Sequence, residues 1–214
     1  MNTVVGSEGA RHEELANTVT HGVGVVGALA AAATLITLSA VRGTVWHVVG
    51  ASIFSAALLL LYGASTAYHA SRVPRWRTRL KVLDHAAIYV LIAGTYTPFT
   101  LAALRGAWGW SLFGVIWGLA VVGVVFKLFT AGRFRRVSTL IYVGMGWLVL
   151  IAAGPLVRAL TPVTLAWLVA GGVAYTAGTA FYHTRRMRFG HAVWHGFVLL
   201  GSVCHAVAVA TLVL

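Results

Sequence analysis

Two histidines one helical turn apart, His191 and His195, stand at the start of the last apolar run of the chain, GHAVWHGFVLLGSVCHAVAVATLVL. Imidazoles at i and i+4 share a helical face, so the pair can hold one metal ion or anchor one polar cluster. Further ligands have to come from other segments. The candidates are His69, which closes an earlier apolar run in STAYH, and Asp84, the one acidic residue besides Glu8, Glu13 and Glu14. Ser65 lies one turn before His69 on the same face. Three imidazoles on Zn²⁺, with the fourth position left to water, form a ligand set used by catalytic zinc. Such an ion brings the pKa of its water towards neutrality and so provides a nucleophile for an acyl carbon. Asp84 would accept the proton or orient a ligand, and Ser65 would donate to the water or to the developing oxyanion.

These residues have to be positioned by membrane helices. The chain has 214 residues, 59% hydrophobic and 9% charged, with a mean hydropathy of +0.87. Its apolar runs repeatedly reach the length that spans a hydrocarbon layer. A soluble domain is excluded, because nearly every segment would need burial with little polar surface to cover it. The formal charge of +12 lies in short basic clusters between apolar runs. Lipid topology and anionic headgroups explain such clusters, so no nucleic acid partner is expected. The lone Cys204 excludes an intrachain disulfide. The polar start, with its three glutamates, predicts no cleavable signal peptide.

In chain order, residues 1–18 form a polar N-terminal segment, most of it read as a short surface or interfacial helix, and residues 19–214 form the seven-transmembrane domain. Spans are predicted at about 19–39, 47–69, 80–101, 107–129, 138–157, 162–182 and 191–213. The stretch SRVPRWRTRLK, with five basic residues, reads as a loop, and Gly154 and Pro155 mark the end of the fifth span. The fold class is therefore all-α, a polytopic seven-helix bundle. Small-residue faces such as the Gly- and Ala-rich first span suit close helix packing and permit self-association into a homo-oligomer.

Loop charge sets the expected orientation. With a cytoplasmic N-terminus, the inside segments hold Arg11, then Arg72, Arg75, Arg77, Arg79 and Lys81, then Lys127, Arg133, Arg135 and Arg136, then Arg185, Arg186 and Arg188. The outside segments hold only Arg42, Arg105 and Arg158, a ratio of 13 to 3. The positive-inside rule then places the N-terminus in the cytoplasm and the C-terminus outside. In this topology His69, Asp84, His191 and His195, from three helices, meet at one membrane level near the cytoplasmic face. Ionisable groups within spans should point into the bundle and find partners.

Other chemistry stays open at this point. The same His, Asp and Ser groups could serve only as interhelical hydrogen bonds, or could line a proton or solute path. His21, His85 and His183 lie near the same level. His85 points roughly 100° away from Asp84 on a helix, and His205, about 15 Å deeper than His195, reads as a buried hydrogen-bonding residue. Trp46, Trp108 and Trp110 read as interface anchors. Tyr89, Tyr96 and Pro98 read as packing residues that could also line a cavity.

The motifs EELANTVTHGVG at 13–24, STAYH at 65–69, LDHAAIYVLIAGTYTPF at 83–99 and HAVWH at 191–195, in this order, resemble the bacterial haemolysin III family. That family lies within the progestin and adipoQ receptor superfamily, which is similar to alkaline ceramidases in its membrane metal-hydrolase pattern. The resemblance covers almost the whole chain. It implies a seven-helix bundle with an intracellular N-terminus and zinc held by His69, His191 and His195, accompanied by Ser65 and Asp84. It also implies either metal-dependent hydrolysis of a lipid amide or a non-enzymatic role, as a regulator of membrane-lipid homeostasis or a pore-forming haemolysin. Membrane lipids are the expected substrates or ligands, and the inner (plasma) membrane is the expected location.

Overall fold

The computed structural model describes residues 2–130, 133–184 and 187–214; Arg185 and Arg186 of the charge count lie outside them. The chain is all-α. Helix α1 (Asn2–Arg42) is followed by α2 (Val45–Ala70), α3 (Pro74–Pro98), α4 (Ala107–Thr130), α5 (Arg135–Trp147), α6 (Ala153–Ala159), α7 (Pro162–His183) and α8 (Gly190–Ala210). Among the described residues, seven helical units are long and apolar enough to cross a bilayer, with α5 and α6 joined as one unit over Arg135–Ala159. The protein is a multi-pass membrane bundle.

Helix α1 is unbroken over 41 residues, about 60 Å at 1.5 Å per residue. That is about twice the hydrocarbon thickness. The polar start is thus continuous with the first span instead of forming a separate short helix, and it carries Glu14 alongside the last turn of α2. Helix α3 also begins earlier than expected. Pro74 occupies its first turn, where a missing N–H costs nothing and the fixed φ is already helical. Only residues 71–73 remain as a loop, and the basic residues from Arg75 to Lys81 ride on the opening turns of α3.

Two helices lose their regular pitch inside the bundle. After Pro98, which cannot donate to the ladder, the chain widens into a π turn over Phe99–Ala103. Between α5 and α6 it tightens into a 3₁₀ stretch over Leu148–Ala152. Pro155 therefore does not close the fifth span; it sits in the first turn of α6, where proline is tolerated. Within a bilayer the backbone groups freed by such an irregularity need internal partners. Tyr96 supplies them: its hydroxyl reaches the Met145 and Gly146 carbonyls at 2.8 and 2.9 Å and accepts from the Val149 amide at 2.9 Å.

Packing runs round the bundle from α4 to α3, α2, α1, α8 and α7. Helix α5 touches α3 and α7 only sparsely, and that loosely filled side becomes important below. The α2–α3 seam is tight in backbone terms. A Cβ added at Gly50 would sit 2.7 Å from the Pro98 Cα, a clash with main chain that no rotamer change relieves. Gly50→Ala should therefore push these helices apart and cost about 1–3 kcal/mol. A thermal unfolding midpoint equal to that of the wild type would contradict this close approach.

Candidate metal centre

Helix alternation brings the end of α2 and the starts of α3 and α8 to one end of the bundle, alongside the N-terminal half of α1. His69 lies in the last turn of α2, and His191 and His195 lie in the first turns of α8. One nitrogen from each of these imidazoles lies within 4.8 Å of the others. Ring centroids are 4.6 Å apart for His191 and His195, and 5.1 Å apart from His69 to each of them. His69 and His195 are buried, and His191 is half-buried.

The donor set suits a metal ion. Zinc–nitrogen bonds of 2.0–2.1 Å in tetrahedral geometry place the donor atoms about 3.3 Å apart, so small ring rotations would bring the three nitrogens onto one ion. The His69 Nε2 atom is buried with no hydrogen-bond partner. A buried polar atom left in that state costs about 1–3 kcal/mol, which ligation would remove. The three histidines could thus bind a metal.

Of the other site residues expected from sequence, Asp84 lines a cavity with two of the histidines, whereas Ser65, one turn before His69 on α2, does not line that cavity. The Asp84 Oδ2 lies 3.3 Å from the His85 Nδ1. Ser65 is 1% exposed, and its Oγ has no hydrogen-bond partner. His85 lines the same cavity but is not one of the three grouped histidines. It donates from Nδ1 to the Lys81 carbonyl at 2.8 Å, and its Nε2 lies 3.4 Å from the Tyr182 hydroxyl. His183 pairs with Thr139 at 3.0 Å. His205 is buried and donates to the Gly201 carbonyl at 2.8 Å.

Three α1 residues join the site without having been singled out as its members. The Glu14 Oε2 is 2.7 Å from the His69 Nδ1, and the other oxygen of Glu14 pairs with Arg77. Thr20 Oγ1 lies 3.2 Å from the His195 Nδ1. His21 stacks on His195, with centroids 3.5 Å apart and planes 11° from parallel, and both of its nitrogens lack partners. A faint signal exists in the sequence, since Glu14 and His21 are seven residues apart and share one face of a continuous helix. The signal is lost if the polar start is separated from the first span.

A cavity of about 140 Å³ opens from this group into the bundle, between α3, α5, α7 and α8. Asp84, His191 and His195 line it together with Ile88, Leu91, Ile92, Val143 and Val198, and Thr95, Thr176 and His205 add polar groups to the wall. A second cavity of about 170 Å³ shares Thr95, Tyr96, Gly146, Trp147, Gly172 and His205 with the first and continues past Leu112, Leu156 and Leu168. Tyr96 therefore lines a cavity as well as packing. The two cavities follow α3 and the π turn after it from Asp84 to Leu104, along the side where α5 packs sparsely.

Seven apolar helices around a buried group of three histidines define a polytopic membrane protein with a candidate metal centre at one end of an apolar cavity. Comparison with known proteins places the chain more closely. The family model described as "Haemolysin-III related" matches residues 10–206. The chain belongs to the haemolysin III family. It is 45% identical over 190 residues to the Hemolysin-3 homolog of Bacillus subtilis (strain 168), covering 89% of each chain. It is 44% identical to Hemolysin-3 of Bacillus cereus, covering 89% of this chain and 87% of that one. The human Monocyte to macrophage differentiation factor is 26% identical over 208 residues, with coverage of 92% and 83%. No solved structure matches the chain.

Proposed function

We propose that this protein is a zinc-dependent hydrolase of lipid amides, with His69, His191 and His195 as metal ligands. The observation that carries this reading is a buried three-histidine group of which two members, His191 and His195, line a largely apolar cavity together with Asp84. Imidazole donors also suit copper, iron and nickel, but a three-histidine set with an open position favours catalytic zinc. When bound, zinc supplies Lewis acidity and activates water near neutral pH. The chain's own groups do the rest. Asp84 takes the proton released by the attacking water and returns one to the leaving amine. Ser65 donates to the oxygen on which charge develops. The apolar wall from Ile88 to Val198 holds the acyl chain and excludes water from it.

The site end is proposed to face the cytoplasm of an inner (plasma) membrane protein, on the 13 to 3 distribution of basic residues. Metal analysis of the purified protein, followed by turnover of a panel of N-acyl lipids, tests the reading. Zinc near one equivalent with release of fatty acid is the expected result, and the absence of metal defeats it. The name of the Bacillus relatives supports a second reading, a haemolytic, pore-forming protein. Conductance across liposomes that contain the purified protein, together with no turnover on the panel, would favour that reading or, without conductance, a regulatory one.

A further inference from the structure

Helix α1 contributes no member of the three-histidine group, yet it holds two of them. The first contact is between Glu14 and His69. A carboxylate oxygen accepts, so the His69 Nδ1, 2.7 Å from Glu14 Oε2, has to carry the proton. A neutral imidazole then presents its lone pair at Nε2, the atom that is buried without a partner. The second contact follows the same logic. The Thr20 hydroxyl has one hydrogen, and it is directed at the Ala16 carbonyl at 2.8 Å and the Asn17 carbonyl at 3.0 Å. Its oxygen is left to accept from the His195 Nδ1 at 3.2 Å, which again places the lone pair on Nε2.

Glu14 is itself braced. Arg77 pairs with its second oxygen and also donates to the Ser71 carbonyl at 3.1 Å and the Tyr68 carbonyl at 3.4 Å, closing the α2–α3 turn over the carboxylate. Glu13, one residue earlier, reaches the Phe189 amide at 3.5 Å, at the long limit for a hydrogen bond, just before α8 begins. Helix α1 thus touches the ends of both helices that carry the three histidines.

We infer that Glu14 and Thr20 are positioning residues of the metal centre: from α1 they set the tautomers of His69 and His195 so that both Nε2 atoms face the ion, with Arg77 fixing Glu14. The inference rests on the zinc reading above and extends it to an outer layer of hydrogen bonds. Partners of this kind fix ring orientation and raise ligand basicity, and their loss typically weakens metal binding about 10–100-fold.

The test uses the full-length protein in detergent, with zinc affinity measured by competition against a chelating dye. Glu14→Ala should bind zinc about 10–100-fold more weakly and Thr20→Val should also weaken it, while Glu14→Gln, whose amide oxygen can still accept from Nδ1, should recover much of the loss. A second readout is independent of zinc and of turnover: the ¹⁵N signals of labelled histidines in metal-free protein. His69 should be protonated at Nδ1 in the wild type and in Glu14→Gln, and a mixture of tautomers in Glu14→Ala. Wild-type zinc affinity in both Glu14→Ala and Thr20→Val overturns the inference. If the wild type binds no zinc, the metal reading falls by itself, and an unchanged His69 tautomer in Glu14→Ala then overturns the positioning role as well.

Discussion

His191→Ala should leave the purified protein without metal, taking a preparation with close to one zinc per chain to a trace amount. The effect is expected to exceed the roughly 10–100-fold weakening that follows loss of an outer partner, because a bond to the ion itself disappears. His191 is the informative ligand to remove. Unlike His69, bonded to Glu14, and His195, bonded to Thr20 and stacked on His21, it has no hydrogen-bond partner among the described residues. It is also only half-buried. The variant should therefore still fold, and an unchanged helical signal by circular dichroism would confirm that the lost metal reflects a lost ligand. Elemental analysis by mass spectrometry reads the result directly. Retention of metal by a folded His191→Ala protein would remove the three-histidine site as the place where the ion binds.

Asp84→Asn should separate chemistry from metal binding. Asp84 is not one of the grouped ligands, and asparagine keeps its shape while losing the ability to take up a proton, so zinc content should stay at the wild-type level. Turnover of N-acyl lipids should fall about 10²–10⁴-fold, the usual contribution of a positioned general acid–base group. The loss should appear in kcat, since the apolar wall that binds the chain is untouched. A variant with full turnover would exclude Asp84 as the proton carrier, and a variant without metal would show that its carboxylate belongs among the ligands. Ser65→Ala, which removes one donor to the developing oxyanion, is expected to follow the same pattern with a smaller loss.

Much of this architecture was legible before any coordinates. Span length and loop charge depend on local composition: about 20 apolar residues cross a bilayer, and a basic cluster does not enter it. For that reason the seven spans, and the convergence of the end of α2 with the start of α8, followed from counting. His69, His191 and His195 could be matched in depth because alternating helices place every second loop on the same side. The places where expectation failed were local backbone events. Pro74 was taken as part of a loop, although it opens α3, and Pro155 was taken as a stop, although it starts α6. The same residue type serves either purpose, and only the neighbouring hydrogen-bond partners decide between them.

What the sequence by itself determined, then, is the class and the grouping of His69, His191 and His195 at one end of the bundle. Those follow from hydropathy and helical period, which act along the chain. Tertiary structure alone decided which partners the Nδ1 atoms of His69 and His195 meet, that an unbroken α1 carries Glu14 to His69 across 55 positions of sequence, and that α5 packs sparsely enough to leave a largely apolar cavity beside the histidines. Tautomer, hydrogen-bond partner and void volume arise from contacts between helices. They have no counterpart in the periodicity of any single helix.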